Sequence, residues 1–140
     1  MQADAQPKDI ALVDKGIASN SIASDFVGIG AVAGLETDVI AQPGVTYVLL
    51  LEGINDIGLA AETIEAQDAI YHTLISGYEQ IITKLHTFGI PVFASTITPI
   101  SAPSYAETPN YYVDPYGTRE KTRLKVKHWI MQKWEVRLCF

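Results

Sequence analysis

An asparagine just after a buried strand can hold its side-chain amide at the edge of a sheet. There it is a neutral, preorganised N–H donor, which suits the stabilisation of an oxyanion. Gly53-Ile54-Asn55-Asp56 offers this arrangement, because Val45 to Leu51 immediately before it carries the clearest strand signal in the chain. The same residues also suit an Asx-turn, in which Asn and Asp bond their own backbone, and spacing alone favours that plainer use.

The remaining chemistry-bearing residues are sparse. His72, His86 and His128 are the three histidines, and none pairs with another at metal-ligand spacing. His72 and His86, on the long helix, read as exposed helix residues, and no metal is expected. Cys139 stands alone, which excludes an internal disulfide and a cysteine-based zinc site. Ser21, Ser24 and Ser95 are hydroxyls with no recognisable base, so loop hydrogen bonding is expected of them. Gly28 to Gly34 superficially suggests a dinucleotide fingerprint, but the spacing is too long and no apolar strand precedes it, so no nucleotide cofactor is expected. Tyr105, Tyr111, Tyr112 and Tyr116 suit either a carbohydrate-binding cleft or a packed loop.

The elements that would position these residues follow from apolar patterning. Ile10 to Val13 is a short apolar run before Asp14-Lys15-Gly16, expected as a buried strand ending in a turn. Ala31 to Ile40 suits a helix, with Val32, Leu35, Val39 and Ile40 near one face, and Gln42-Pro43-Gly44 breaks the chain. Val45 to Leu51 reads as a strand buried on both faces, the habit of a parallel sheet covered by helices. Glu52 to Gly58 is expected as a loop. Ile70, Leu74, Tyr78, Ile81, Leu85 and Phe88 form one stripe of a long helix, starting near Thr63 or Asp68 and stopping at Gly89. Ile90 to Ile97 is the next strand, Pro99 to Pro115 a long tyrosine-rich loop, and Thr118 onward a helix. That last helix should turn Leu124, Val126, Ile130 and Met131 inward. Of the tryptophans, Trp129 and Trp134 do not share a face, so one in the core and one on the surface is expected.

Strand and helix alternate, so the expected class is α/β with a parallel sheet. Ligands in such sheets bind at the carboxyl ends of the strands. Three segments fall there, Lys15 to Asn20, Glu52 to Asp56 and Thr98 to Ser104, and together they define one site.

Composition bounds the function. The chain has 140 residues, 48% of them apolar, enough for one domain with a core. No apolar run approaches a membrane span, so no membrane role is expected. The first nine residues lack the basic and apolar regions of a secretory signal. The formal charge is −6, which argues against nucleic acid as a partner. That charge is uneven: residues 118–140 carry +5 and residues 1–117 carry −11. The basic end reads as a solvated helix face that offsets an acidic body.

The block Leu51-Glu52-Gly53-Ile54-Asn55-Asp56-Ile57-Gly58 resembles the G-x-N-D block of the SGNH or GDSL-type hydrolases. Asp14 to Asn20 is similar to the block that precedes it in that family. Asp38 to Val48, Gly77-Tyr78 through His86 to Gly89-Ile90, Thr96 to Pro99, Tyr111-Tyr112, Arg123, Val126 and Trp129-Ile130 extend the likeness over Asp9 to Ile130. The resemblance implies a three-layer αβα, flavodoxin-like fold and ester hydrolysis through a serine, with a histidine base and an aspartate that orients it. It implies that Asn55 is an oxyanion donor and that Ser19 stands where the family places a glycine whose backbone N–H completes the oxyanion hole. Asn20, Gly53 and Asp56 would then border a small ester or acylated sugar, with no cofactor. Many members of the family are secreted.

Two family blocks are missing. No Gly-Asp-Ser and no Asp-x-x-His occurs in the chain. The resemblance therefore covers an incomplete domain, residues 1–130, that lacks the first and the last strand, with residues 131–140 as a tail outside it. Three expectations follow: no useful esterase activity from this chain alone, a marginal or rearranged fold, and possible pairing with another chain that fills the missing strand. The alternative is a non-catalytic module that binds a ligand or a partner.

Overall fold

The computed structural model describes residues 10–25, 28–99 and 117–133. Its elements are α1 (Ala31–Leu35), a π-helical turn (Glu36–Ile40), β1 (Val48–Leu50), α2 (Ile54–Leu59), α3 (Ile64–Thr87), β2 (Val92–Ala94) and α4 (Thr118–Lys133). The chain is a helix-rich, mixed α/β protein whose described residues hold a two-stranded parallel sheet. Among those residues no helix is long and apolar enough to cross a membrane.

Local chemistry sets the limits of α3. Thr63 caps its start, the hydroxyl accepting from the Ala66 N–H at 3.2 Å. At its end the Gly89 N–H donates to the His86 carbonyl and the Ile90 N–H to the Leu85 carbonyl, both at 3.0 Å. That pattern requires a left-handed residue at Gly89, whose φ is 69°. Buried Ile90 then lies against buried Leu85 and leads the chain into β2. Leu74, Tyr78, Ile81 and Leu85 are buried along one stripe, as the spacing requires. Phe88 leaves that stripe: it is the helix's last cap and stands exposed, with the Lys84 ammonium 5.7 Å above its ring.

β1 and β2 pair in register, Val48 with Val92 and Leu50 with Ala94. The Val48 N–H donates to the Pro91 carbonyl at 3.0 Å and the Ser95 N–H to the Leu50 carbonyl at 2.9 Å. One face of the pair, Val48, Leu50, Val92 and Ala94, joins the core made by α3 and α4. The other is open: Tyr47, Leu49 and Leu51 are 58%, 75% and 60% exposed. The expectation that Val45 to Leu51 is buried on both faces is therefore corrected. Among the described residues, helices cover one side of this sheet.

Ile10 to Val13 is also corrected. It forms no strand, and Ile10, Leu12 and Val13 are 70%, 86% and 67% exposed. An apolar run becomes a strand only when a neighbouring strand takes up its backbone groups, and among the described residues it has none. Glu52 to Gly58 is not wholly a loop, since α2 begins at Ile54. The helix expected over Ala31 to Ile40 is present, but its second half widens to π geometry.

In α4, Val126 and Ile130 are buried as expected, whereas Leu124 and Met131 are exposed and Thr122 and Arg123 take the inner positions. Arg123 reaches the Ile97 carbonyl at 2.9 Å and is gripped by both Glu120 oxygens. Trp129, half-buried, stacks on Tyr78 with ring centres 5.9 Å apart. The basic helix also meets acidic partners in Lys125–Asp68 and Arg119–Glu62, in line with a basic face offsetting an acidic body. The tyrosine-rich loop from residue 100 onward, Trp134 and most of the tail lie outside the described residues.

Candidate functional site

The chain leaves β1 at its carboxyl end and turns into α2 through Gly53. The turn needs glycine twice over. Gly53 has φ 104°, and a Cβ there would lie 3.1 Å from Ile97 Cδ1, Leu74 Cδ2 and the Tyr78 hydroxyl. Tyr78 fixes the turn from below, donating its hydroxyl to the Glu52 carbonyl at 2.6 Å. This geometry sets Asn55 and Asp56 on the first turn of α2, facing the loop that contains Ser19 to Ile22.

Two side chains bridge the gap. The Asn55 amide Nδ2 donates to the Asn20 carbonyl at 2.7 Å. Asp56, 5% exposed, accepts the Ile22 N–H on both carboxylate oxygens at 3.1 Å. Ile22 is thereby drawn under α1, its carbonyl accepting the Val32 N–H at 3.0 Å, and it packs against Gly77 of α3. Gln67, also buried, secures the far end of α2 by donating Nε2 to the Ile57 carbonyl at 3.0 Å.

Ser19 is the one non-glycine with positive φ among the described residues, at 59°. It sits at the third position of a tight turn closed by the Asn20 N–H on the Ile17 carbonyl at 3.1 Å, a place that favours glycine. Ser19 is exposed, and Asn20 and Ser21 behind it are buried.

The electrostatics are acidic. Burial pushes the Glu52 carboxyl above the usual carboxylate range, and the neighbouring Asp56 charge adds to that rise. Burial raises Asp56 as well, against the opposing pull of its backbone hydrogen bonds. Tyr78 is pushed strongly upward by burial and then by the two carboxylates. The Gly53 backbone and then the Asn20 side chain pull Glu52 the other way, while Asn20 Oδ1 and the Ser21 hydroxyl are buried with no hydrogen-bond partner among the described residues.

Of the residues singled out from sequence, Asn20, Gly53, Asn55 and Asp56 come together, with Ser19 on the adjoining turn. The third expected segment contributes Ile97 beneath Gly53, and Thr98 is exposed. Its continuation past Pro99 lies outside the described residues. His72, His86 and His128 are exposed and take no part. Sequence reasoning included Glu52 only as the first residue of a site segment and missed Tyr78, which was visible only as one more residue of the apolar stripe.

Chemically, the arrangement joins two loops through the Asn55 amide and sets the Glu52 and Asp56 carboxylates on either side of the Gly53 turn. It contains no nucleophile–base pair among its described residues. Compared with known proteins, the chain matches no protein-family model and no curated protein.

Proposed function

We propose that the chain is the central part of an ester hydrolase of the SGNH type, in which Asn55 and the Ser19 backbone N–H form the oxyanion side of the site. The observation that carries this reading is the Asn55–Asn20 hydrogen bond. It joins the two loops that the family resemblance assigns to one oxyanion hole. The left-handed turn at Ser19 supports it, since the residue stands at the family's glycine position with glycine-like φ. So does the parallel β1–α3–β2 unit with α4 packed beside α3, which suits part of a three-layer, flavodoxin-like sheet. The substrate would be a small ester or an acylated sugar. The serine and the histidine–aspartate pair are not in these 140 residues. Losing the serine or histidine of a catalytic triad costs roughly a millionfold in kcat in a well-studied protease.

Two measurements test this. The chain alone should hydrolyse a chromogenic acetyl ester no faster than background, and rapid turnover abolished by Asn55→Ala would show that the inactivity is wrong. Codons flanking this reading frame should encode a Gly-Asp-Ser segment upstream and Asp-x-x-His downstream.

A second reading, a non-catalytic module that pairs with another chain, is favoured by the open side of the sheet. β1 has a single strand neighbour among the described residues, and Tyr47, Leu49 and Leu51 beside it are uncovered. Absence of both flanking motifs, with expression of this same chain, would select that module.

A further inference from the structure

We propose that two copies of this chain exchange strands: the Ile10 to Val13 run of each copy lies along the vacant edge of β1 in the other. The proposal deepens the second reading above, that the chain pairs with another, by naming that other chain as a second copy.

Two segments of the chain each lack what the other offers. The ladder to β2 uses Val48 and Leu50: the Val48 N–H donates to the Pro91 carbonyl, and the Leu50 carbonyl accepts the Ser95 N–H. Successive residues of a strand turn their backbone groups to opposite edges, so Leu49 turns its N–H and carbonyl away from β2. No strand among the described residues takes them up. Tyr47, Leu49 and Leu51 along this edge are exposed. The other edge of the sheet differs. Val92 and Ala94, whose backbone groups turn to it, are buried and half-buried, and Pro91 stands before them.

The complementary piece is Ile10-Ala11-Leu12-Val13. It is apolar throughout, it is neither helix nor turn, and its three large side chains are at least 67% exposed. No hydrogen bond joins its backbone to another described residue. A strand-like run without a neighbour and a strand edge without a neighbour thus stand open in the same chain. A second copy supplies both. Docking requires no unfolding, since both segments are already exposed.

Charge selects the same place. The chain carries −6, so two copies repel except where charge is absent. Val39 to Leu51 contains no charged residue, and neither does Ile10 to Val13. Sheet edges are ordinarily guarded against such pairing by charged side chains or proline, and Val45 to Leu51 has neither. Size then separates exchange from a simpler contact of β1 with β1. That contact would cover only Tyr47, Leu49 and Leu51 in each copy, little beside the roughly 800 Å² per partner of a stable dimer. It would also leave the run uncovered. Reciprocal exchange covers both segments of both copies and closes the assembly at two chains.

Sedimentation of the 140-residue chain over a concentration series should give the mass of a dimer. The contact is tested in a Cys139→Ser background, by mixing Leu12→Cys chains with Leu49→Cys chains and adding a short bis-maleimide. A covalent dimer with one chain of each kind is expected, and far less from either variant alone. Leu49→Lys should raise the dimer dissociation constant by about tenfold or more. It should leave the circular dichroism of the monomer unchanged, because Leu49 is 75% exposed. A monomer at every concentration overturns the proposal, and so does assembly that grows beyond two chains. Linkage of Leu49→Cys chains to each other but not to Leu12→Cys chains overturns it, as does a doubly substituted chain that links only within itself. The pairing reading rests on the flanking codons, so the two can fail separately.

Discussion

The Asn55 side-chain amide donates to the Asn20 main-chain carbonyl at 2.7 Å, across 35 residues of sequence, and fastens the Ser19–Ile22 loop to the start of α2. Asn55→Ala removes the donor from a carbonyl whose own residue is buried. A stability loss of about 1 kcal/mol is expected in urea unfolding, with faster exchange of the Asn20 and Ile22 amides. A loss confined to exchange, with unfolding unchanged, would mean that the loop opens independently of the core.

Ser19 carries backbone strain that its exposed side chain does nothing to offset. With φ at 59°, Ser19→Gly should be as stable as the parent or better, and Ser19→Val should be less stable than the glycine variant by about 1–2 kcal/mol. Thermal unfolding of the three proteins gives the order directly.

Tyr78 anchors the Gly53 turn through its hydroxyl. Tyr78→Phe keeps the ring against Trp129 and deletes the bond to the Glu52 carbonyl. The expected cost is about 1 kcal/mol, whereas Leu74→Ala on the same stripe should cost about 2–5 kcal/mol.

Glu52 sets a pH dependence. Its folded-state affinity for a proton is raised, first by burial and then by Asp56. A group raised in this way contributes stability that is fully present below its unfolded pKa, about 4.3, and lost as pH rises through its folded value. Asp56 is shifted in the same direction. The melting temperature should therefore fall as pH rises from the acid limit through the range where these carboxyls ionise. Glu52→Gln should flatten that fall and exceed the parent in stability at pH 7.

What was legible in the sequence was the chemistry that acts within a few residues. The Thr63 cap, the Gly89 stop and the stripe from Leu74 to Leu85 are local, and the helix follows them. The parallel strand pair was legible too, from apolar runs separated by that helix. Ile10 to Val13 was not, because the same apolar composition is compatible with a strand or with exposed chain until a neighbour is supplied. Leu49 and Leu51 mislead for the same reason: a doubly apolar strand implies cover on both faces, and among the described residues helices lie on one. At the site, Gly53, Asn55 and Asp56 were visible as a motif. Asn20 was placed at the site by the block resemblance, but its bond to Asn55 was not, and Ile22 and Tyr78 were not visible as partners, since each pairing spans more than twenty residues and depends on how the sheet turns into α2. Arg123 was expected on the outward basic face of its helix; it is instead buried, bonded to Glu120 and the Ile97 carbonyl, and Leu124 beside it is exposed.

The central claim, that the Asn55 amide is the oxyanion donor of an ester hydrolase, is tested most directly by acetyl-ester kinetics on the polypeptide translated from the complete transcript, compared with its Asn55→Ala variant. The account predicts a fall in kcat of about 10²–10³ with KM little changed. An unchanged kcat, or a complete polypeptide that contains no Gly-Asp-Ser, would contradict it.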